Sequence, residues 1–255
     1  MPSLSVVIIT LNEERNIQRC LDSVAGLADE IVVVDSLSTD RTAEICRAAG
    51  ARVILQEFLG HRQQKAFAIA AATHDVVLSL DADEALSPEL RRSVETALRR
   101  WPTACYEMNR LNQFMGRWIR HGSWYPERKM RLFDRRKYVM GGVNPHDRFD
   151  PAPGEAITFL EGDLLHYANE NFEVRVRTMN KYSSIAARAY HERGKRGNWV
   201  RVLLKPAGRF LSEFVLKGGF RDGFLGYYIA KTAGHYVWLR EVKLLALDRT
   251  DQSPF

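Results

Sequence analysis

Short apolar runs alternate with helical patterns through the first hundred residues of this 255-residue chain. The runs are rich in β-branched residues, as expected for strands that are covered on both faces. Between them, apolar residues recur at helical spacing. This alternation predicts a parallel sheet with crossover helices, built from four βα units. The predicted strands are Leu4–Thr10, Glu30–Val34, Arg52–Leu55 and Val76–Leu80.

Capping residues and glycines indicate where the helices begin and end. Ser, Thr, Asp and Asn are favoured just before a helix, and glycine just after it. Ser87 followed by Pro88 is a clear start, because proline is well tolerated in the first helical turn. The other expected limits are Asn12 and Gly26 for the first helix, Thr39 or Asp40 and Gly50 for the second, and His61 and Thr73 for the third.

The pattern changes after residue 100. Residues 101–169 mix aromatic, glycine and arginine-rich segments with shorter strand candidates, which predicts a mixed second half of the same α/β domain. From about Glu170 the pattern is helical again, and Pro206 is expected to kink or break one of these helices. One helical face is predicted to consist of Trp199, Leu203, Phe210 and Phe214.

Cysteine content and hydropathy bear on the compartment of the protein. Three scattered cysteines are too few for a disulfide framework and are consistent with a reducing cytoplasm. The first residues form a strand pattern rather than a secretory signal. No apolar run approaches the roughly 18 residues of a membrane-spanning helix. We therefore expect a cytoplasmic protein, soluble or peripheral to a membrane.

The formal net charge of +6 is distributed unevenly. Residues 1–98 and 149–170 are acidic, whereas residues 99–148 and 171–255 carry net charges of +8 and +9. A basic second half suits nucleic acid, an anionic lipid surface or a phosphorylated acceptor, and a solvated helical surface is an equal alternative. Because the sequence contains no recognisable helix-turn-helix, RNA-recognition or zinc pattern, we expect no nucleic-acid partner.

Polar residues follow three of the predicted strands, at the edge where ligands bind in open α/β sheets. Residues 10–13 follow the first strand, Asp35 the second, and Asp81 and Asp83 the fourth. A glycine-rich loop is missing after the first strand, which argues against a dinucleotide-binding fold and a P-loop. Asp35 on its own is equally compatible with a turn.

Asp81 and Asp83 flank one residue at the end of a buried strand, where uncompensated negative charge is costly. Two carboxylates at this spacing can bind a hard divalent ion such as Mg²⁺ or Mn²⁺, which also takes ligands from a diphosphate. The alternative is that one of them caps the helix near Ser87, although Ser87 itself supplies a cap. The spacing therefore favours a divalent-metal site.

Four features occur in order through the first hundred residues: VVIITLNEERNIQRCLDSV, EIVVVDSLSTDRT, a lysine-bearing helix and LSLDADE. In order and spacing they resemble the inverting glycosyltransferases of family 2, which have the GT-A fold and use nucleotide diphosphate sugars. The resemblance implies a GT-A-type, Rossmann-like mixed sheet with flanking helices and a C-terminal helical extension. Residues 1–100 would be the nucleotide-sugar-binding half, 101–169 the acceptor-side half and 170–255 the helical region.

The resemblance also implies a UDP-sugar donor and places particular residues around it. The pocket residues it implies are Thr10, Asn12 and Glu13 around the nucleotide, Asp35 on the uracil ring, Lys65 near the base or phosphates, Asp81 toward the ribose, Ala82 as a further donor-binding residue, and Asp83 on the metal ion. One departure is Ala66, where related sequences often have asparagine after the lysine.

Later segments extend the resemblance over nearly the whole chain: WYPERKMRLFDRR, GGVNPHDRF, LLHYANENFEVRVRTMNKYSSIAA and GGFRDGFLGYYIA. They resemble the lipopolysaccharide core glycosyltransferases that add a hexose, commonly glucose, to the inner-core heptose. In that group a V-H-E segment supplies the acceptor-side carboxylate. Here the stretch reads VNPHD, with two residues inserted and aspartate in place of glutamate, and Asp147 is the implied catalytic base.

Several further side chains are candidates for charge recognition. His166 completes the metal shell, binds diphosphate or is a satisfied core histidine. The candidates for binding donor diphosphate or acceptor phosphate are Arg128, Lys129, Arg131 and His146. For the two arginines and the lysine, the alternative is that they form a solvated basic face.

An inverting transfer to a hydroxyl group needs a carboxylate that accepts the hydroxyl proton, and its transition state has oxocarbenium character. We therefore expect a metal-dependent enzyme that moves a hexose, glucose by resemblance, from a UDP-sugar to a hydroxyl of a lipopolysaccharide inner-core heptose. The alternatives are transfer to a polyprenyl phosphate, which needs no base, and a degenerate protein that binds membrane or nucleic acid. A nucleotidyltransferase is disfavoured, since TLNEER is neither glycine-rich nor basic.

Aromatic residues alternate with lysines and arginines in the C-terminal helices. They indicate either helix core or a surface for the anionic headgroups of the inner face of the cytoplasmic membrane, where a lipid-linked saccharide acceptor would lie. The aromatic residues are Trp199, Phe210, Phe214, Phe220, Phe224, Tyr227, Tyr228, Tyr236 and Trp238.

Overall fold

The computed structural model describes residues 1–143, 146–168 and 171–251, with the backbone alone at residues 143, 146, 147, 250 and 251. The chain divides into two compact units. The first unit comprises residues 1–111 and 127–167, and the second comprises residues 112–126 and those from 168 onward. The segment 112–126, which we expected in the acceptor-side half, therefore belongs with the helical C-terminal region.

The first unit opens with alternating strands and helices: β1 (Leu4–Thr10), α1 (Ile17–Val24), β2 (Glu30–Asp35), α2 (Thr42–Ala48), β3 (Arg52–Leu55), α3 (His61–Ala71) and β4 (Val76–Asp81). β1 pairs in parallel with β2 and β4, and β2 pairs in parallel with β3. Val6 and Val7 of β1 point into different apolar cores, as the alternation of a doubly covered strand requires. The four predicted strands are confirmed to within one residue.

The elements that follow are β5 (Glu84–Leu86), α4 (Pro88–Arg100), β6 (Cys105–Phe114), β7 (Arg117–Trp118), β8 (Glu127–Asp134), β9 (Tyr138–Val143), β10 (His146–Pro151) and β11 (Ile157–His166). The main sheet has the strand order β3-β2-β1-β4-β8-β6-β11-β5, and β9 and β10 form a separate antiparallel ribbon. β8 is antiparallel to β4 and β6, so the sheet is mixed, as predicted.

The first two helices begin later than their predicted caps. Asn12 adopts a φ of 55°, and its Oδ1 accepts a hydrogen bond from Thr39 N at 2.8 Å, so it braces the loop after β2. α2 begins at Thr42, whose N–H donates to Asp40 Oδ1 at 3.0 Å. The predicted cap at Asn12 is therefore wrong, because a neighbouring loop competes with the helix end for this short polar side chain. Of the two residues predicted to cap α2, Asp40 does accept the N–H of its first residue, although the assigned N-cap position is Arg41. The cap at Ser87 is confirmed.

The second unit is mainly helical: a 3₁₀ turn at Gly122–Trp124, α5 (Phe172–Glu192), α6 (Trp199–Leu211), a π-helical turn at Ser212–Leu216, a 3₁₀ turn at Gly219–Asp222 and α7 (Gly223–Asp251). α7 packs against both α5 and α6. Buried Phe114, Ile119, Leu225 and Ile229 form an apolar core in this unit. Among the described residues, no helix is long and apolar enough to cross a membrane.

Pro206 lies inside α6, which continues through it, so the expected break is wrong, and the alternative of a kink stays a prediction. The helix is supported by α7, because a Cβ atom added at Gly234 would lie 2.8 Å from the Pro206 carbonyl oxygen. The predicted apolar face of this helix is partly packed and partly exposed to solvent. Phe210 is half-buried and stacks on Phe214 with ring centroids 5.4 Å apart, whereas Trp199 is 60% exposed.

Candidate active site

Two buried polar side chains lie side by side where β1 and β2 end. Thr10 and Asp35 occupy paired positions of the parallel strands, and both are nearly inaccessible to solvent. One carboxylate oxygen of Asp35 accepts a hydrogen bond from Ser38 N at 2.8 Å. Asp35 Oδ2 and Thr10 Oγ1 have no hydrogen-bond partner among the described residues. Because an unpaired buried polar group is costly, these atoms are suited to receive a polar ligand.

Asn12 and Glu13 lie on the loop after β1. Asn12 is exposed, and its side chain is engaged by Thr39, so its polar atoms hold two loops together. Glu13 is half-buried and accepts a hydrogen bond from Asn16 Nδ2 at 2.8 Å. Burial raises the pKa of Glu13, and the charge of Asp83 adds to that increase. Glu13 therefore lies within the electrostatic reach of the aspartate pair.

Asp81 is held by two cations. Lys65 Nζ lies 3.0 Å from Asp81 Oδ1, and Arg131 Nη2 lies 2.8 Å from Asp81 Oδ2. The same Arg131 nitrogen lies 2.7 Å from Glu84 Oε1. Glu84 is fully buried, and its other oxygen accepts a hydrogen bond from the backbone of Asp81. Asp81 is thus part of a paired charge cluster at the end of β4.

The charges in this cluster set the protonation state of Asp81. Burial acts to raise the pKa of Asp81, but Lys65 and Arg131 outweigh it and hold the pKa far below its usual range. For Arg131, burial acts to lower the pKa, but Glu84 and Asp81 raise it well above its ordinary value. Both groups are therefore charged throughout the physiological range.

Asp83 and His166 form a second pair. His166 ends β11, which pairs with β5 so that His166 lies opposite Glu84. The Nε2 atom of His166 lies 3.2 Å from Asp83 Oδ2, and both side chains are partly exposed. Burial acts to lower the pKa of His166, but the hydrogen bond and the charge of Asp83 outweigh it and raise the pKa. A satisfied histidine would make the same hydrogen bond to Asp83, so the metal-ligand and satisfied-histidine interpretations of His166 both stay predictions.

The pair of Asp83 and His166 fits a divalent ion. Neighbouring ligands of an octahedral Mg²⁺ with bonds of 2.0–2.1 Å lie about 3 Å apart, close to the observed 3.2 Å. No group of three His, Cys, Asp or Glu side chains converges on a metal position within the described part of the chain. A bound ion would therefore take its other ligands from water and a diphosphate, as Mg²⁺ commonly does.

The three basic candidates of β8 do not share one surface. A register irregularity between β6 and β8 falls at Arg131, so strand alternation does not assign its face, and the three side chains are distinguished by their contacts. Arg128 is exposed and lies 2.6 Å from Glu107, whereas Lys129 lies 2.9 Å from Glu127. Arg131 is committed to the aspartate cluster. Their predicted role in phosphate binding remains a prediction, and the geometry gives Arg131 a role in holding carboxylates.

Three other candidates are placed by their backbone. Ala82 is buried in the apolar core, so its side chain is turned away from any ligand. His146 and Asp147 lie on β10 opposite Val143 and Gly142 of β9, and their side chains lie outside the described residues. The catalytic role of Asp147 and the acceptor role of His146 remain predictions.

Sequence reasoning gave no role to Glu84 and Arg110. Arg110 Nη1 lies 3.5 Å from Glu84 Oε1, and its Nε lies 2.9 Å from Glu127. The local signal for Glu84 was its place directly after the aspartate pair in LSLDADE. Arg110 had no such signal, because it reaches the cluster only through the antiparallel pairing of β6 and β8.

Comparison with known proteins gives consistent matches. The sequence model of the family described as Glycosyl transferase family 2 matches residues 5–152. A glycosyltransferase of Rickettsia typhi is 31% identical over 97% of this chain and 88% of its own length. The lipopolysaccharide core biosynthesis glycosyltransferase LpsC of Rhizobium meliloti is 30% identical over 94% of this chain and 91% of its own length.

A solved structure supports the fold. Glucosyl-3-phosphoglycerate synthase from Mycobacterium tuberculosis, in complex with phosphoglyceric acid, superposes with a TM-score of 0.50 and 19% identity. The match covers 77% of this chain and 82% of that one. The predicted GT-A-type architecture, a mixed sheet with flanking helices and a C-terminal helical extension, is confirmed.

Proposed function

The chain belongs to glycosyl transferase family 2, and from this premise we propose that it transfers a hexose from a UDP-sugar to a hydroxyl group of a lipid-linked saccharide. The donor is UDP-glucose, the acceptor hydroxyl belongs to an inner-core heptose of lipopolysaccharide, and the anomeric configuration is inverted. The similarity to LpsC supports the acceptor class.

The observation that carries the proposal is the contrast between Asp81 and Asp83. The side chains of Asp81 and Asp83 are equally exposed, at 24%, but Lys65 and Arg131 neutralise Asp81, whereas Asp83 faces His166 at 3.2 Å. The first carboxylate is thereby fixed in position, and the second is available to a cation. This arrangement suits a Mg²⁺ or Mn²⁺ ion that is shared with a nucleoside diphosphate.

The base of the nucleotide is recognised where β1 and β2 end. Asp35 Oδ2 is a buried acceptor without a partner among the described residues, and it accepts the N–H group of uracil. Thr10 Oγ1 also has no hydrogen-bond partner among the described residues, and it supplies a second polar contact to the base. A pyrimidine that offers an N–H donor satisfies a carboxylate that is otherwise costly to bury.

The transfer step requires one proton acceptor from the chain. The acceptor hydroxyl attacks the anomeric carbon on the face opposite the leaving diphosphate, and the bond from that carbon to the diphosphate breaks. Asp147 takes the hydroxyl proton as the new glycosidic bond forms. When bound at Asp83 and His166, a divalent ion supplies Lewis-acid stabilisation of the departing diphosphate.

The partner and the location follow from the acceptor. A lipid-linked saccharide is held at a membrane surface, and UDP-sugars are cytoplasmic metabolites. The enzyme therefore works in the cytoplasm, peripheral to the inner face of the cytoplasmic membrane.

Transfer assays with Asp147→Asn test the proposal. UDP release would be measured with a panel of UDP-sugars and a heptose-containing core acceptor. We expect Asp147→Asn to lower transfer at least about 100-fold, because loss of general-base catalysis typically has that effect. Asp150→Asn, on the same strand, is the matched control and should transfer at nearly the wild-type rate.

Two results would overturn the proposal. One is the absence of transfer from every UDP-sugar to a saccharide hydroxyl. The other is undiminished transfer by Asp147→Asn, combined with activity on a polyprenyl phosphate, since an anionic phosphate oxygen needs no base.

A further inference from the structure

α6 carries a continuous apolar stripe on its solvent side. Val200, Leu203, Leu204 and Leu211 are spaced so that they share one helical face. Their exposed fractions range from 54% to 69%. A surface helix normally turns such a stripe toward a core. Here the stripe, which we call the α6 stripe, is directed away from the core of the second unit.

The opposite face of the same helix is the one that packs. Val202 is 5% exposed, and the backbone at Pro206 closely approaches Gly234 of α7. Phe210, at the edge of the α6 stripe beside Leu203, is half-buried and stacks on Phe214. α6 is therefore apolar on two faces, and only one of them is used in the fold of this unit.

Exposed apolar side chains continue beyond the stripe. Exposed patches of large apolar residues in a folded protein usually mark an interaction surface. Those on the neighbouring turns of the second unit are Trp199, Val215, Leu216, Phe220 and Phe224, with exposed fractions from 51% to 81%. Full burial of one leucine or phenylalanine contributes about 1.5–3 kcal/mol, so a few of these side chains suffice for measurable association.

The segment that contains the stripe is strongly basic. Residues 193–221 include eight lysines and arginines and one acidic residue, Glu213. Glu213 is buried, and it lies 3.2 Å from Arg209 and 3.1 Å from Lys217. The acidic side chain is therefore withdrawn from the surface, and the exposed charge around the stripe is positive.

We propose that the α6 stripe docks on the surface of an anionic lipid bilayer. Apolar side chains flanked by lysine and arginine are the composition of helices that lie in the interface plane. With 13 residues, α6 is about 20 Å long, shorter than the roughly 30 Å hydrocarbon core, so it lies along the surface.

A second copy of the chain is the less suitable occupant. A symmetric dimer through this face would bring the same positive segment of each copy against the other. Such like-charge contact costs several kcal/mol, whereas anionic headgroups are attracted to the cations of this segment, of which Arg196, Lys205, Arg209 and Lys217 also pair with carboxylates of the second unit. The inference does not rest on the proposed donor or acceptor, since binding to vesicles can be measured without either.

Vesicle flotation tests this inference. The whole protein would be mixed with vesicles of phosphatidylglycerol and phosphatidylcholine in equal parts, and with vesicles of phosphatidylcholine alone. We expect binding to the anionic vesicles, weakened by added salt. The double variant Leu203→Asp/Leu204→Asp should reduce that binding at least about tenfold, the equivalent of 1.4 kcal/mol.

The matched control is Val176→Asp/Ile185→Asp on α5, where both side chains are also about half exposed. It should bind to anionic vesicles as the wild type does. That result would show that the loss of binding comes from the change in the α6 stripe and not from added negative charge in general. Thermal unfolding of both variants verifies that they are folded. Equal binding by Leu203→Asp/Leu204→Asp, no binding by the wild type, or a dimer in solution that this variant abolishes would overturn the inference.

Discussion

Arg131 Nη2 lies 2.8 Å from Asp81 Oδ2, although 50 residues separate them along the chain. The contact arises because β8 runs antiparallel to β4 and brings a buried arginine beside the end of that strand. Through its second contact, with Glu84, Arg131 holds two carboxylates that would otherwise repel each other. The position of Asp81 at the donor site therefore depends on a residue outside the nucleotide-binding half.

Arg131→Met should lower the free energy of unfolding by about 3–5 kcal/mol, because it removes the cation that Asp81 shares with the fully buried Glu84, although Lys65 still pairs with Asp81. Arg131→Lys keeps the charge and should lose less. Urea unfolding measures both. The control is Arg128→Met, at an exposed position of the same strand, which should cost no more than about 1 kcal/mol. Equal midpoints for Arg131→Met and wild type would contradict this role.

Asp35→Asn should weaken nucleotide binding without lowering stability. The variant keeps an oxygen for the Ser38 amide but replaces the unpaired Oδ2 with an NH₂ group. Removing a buried unpaired charge should leave the unfolding free energy unchanged or raise it. The NH₂ group of the new asparagine would face the N–H group of the base, and two hydrogen-bond donors cannot pair. UDP binding, measured by calorimetry, should therefore weaken at least about tenfold, or 1.4 kcal/mol. Exposed Asp22→Asn should change neither quantity, and unchanged UDP binding by Asp35→Asn would argue against base recognition here.

Glu30→Gln should destabilise the protein in a pH-dependent way. Burial acts to raise the pKa of Glu30, but hydrogen bonds from Thr73, Arg52 and Ser5 outweigh it and lower the pKa from 4.5 to about 2. A carboxyl group with a depressed folded-state pKa stabilises the fold fully above its unfolded pKa. The stability difference between wild type and variant, about 1–3 kcal/mol at neutral pH, should shrink as the pH falls from about 4.5 to about 2.

Urea unfolding at several pH values measures that difference. Glu89→Gln removes an exposed pair with Arg92 and is the control, for which only a small difference is expected at every pH. A pH-independent loss in Glu30→Gln would show that its carboxylate charge is not what stabilises this end of the sheet.

Gly162→Ala should destabilise the fold far more than Gly154→Ala. Both glycines have a positive φ, which costs an alanine about 1–2 kcal/mol. At Gly162 an added Cβ would also lie 2.2 Å from the backbone nitrogen of Leu90, whereas at Gly154 it would meet open space. β11 carries His166, so Gly162→Ala should also weaken metal-dependent UDP binding. Similar thermal midpoints for the two variants would contradict this packing.

The strands could be predicted from sequence because their signal is local. An apolar run of strand length between helical patterns has few other structural solutions, and β1 and β3 have the predicted limits. The helix starts were less predictable. Asn12 is a good capping residue in isolation, but it bonds to a loop that the fold brings nearby, and Asp40 bonds both to such a loop and to the first amide of α2. Such competition depends on tertiary structure and leaves no local pattern.

In the candidate site, too, some residues could be predicted from local sequence and others could not. The aspartates could be assigned to one edge because the carboxyl ends of parallel strands meet there. Two partners of these aspartates come from antiparallel strands, Arg131 from β8 and His166 from β11, and Arg110 from β6 reaches the neighbouring Glu84. Their registers are not encoded in the spacing of any motif. For that reason the sequence suggests phosphate binding for Arg131, whereas in the structure its charge pairs with Asp81 and Glu84.

Calorimetric titration of UDP, with Mn²⁺ and with a chelator, tests the central claim most directly when wild type is compared with Asp83→Ala. We predict that wild type binds UDP in the presence of Mn²⁺ and much more weakly in chelator. Asp83→Ala in Mn²⁺ should bind no better than chelated wild type, because the ion loses its carboxylate ligand. UDP binding that is equal in all conditions, or absent from the wild type, would contradict a metal-assisted donor site at Asp83 and His166.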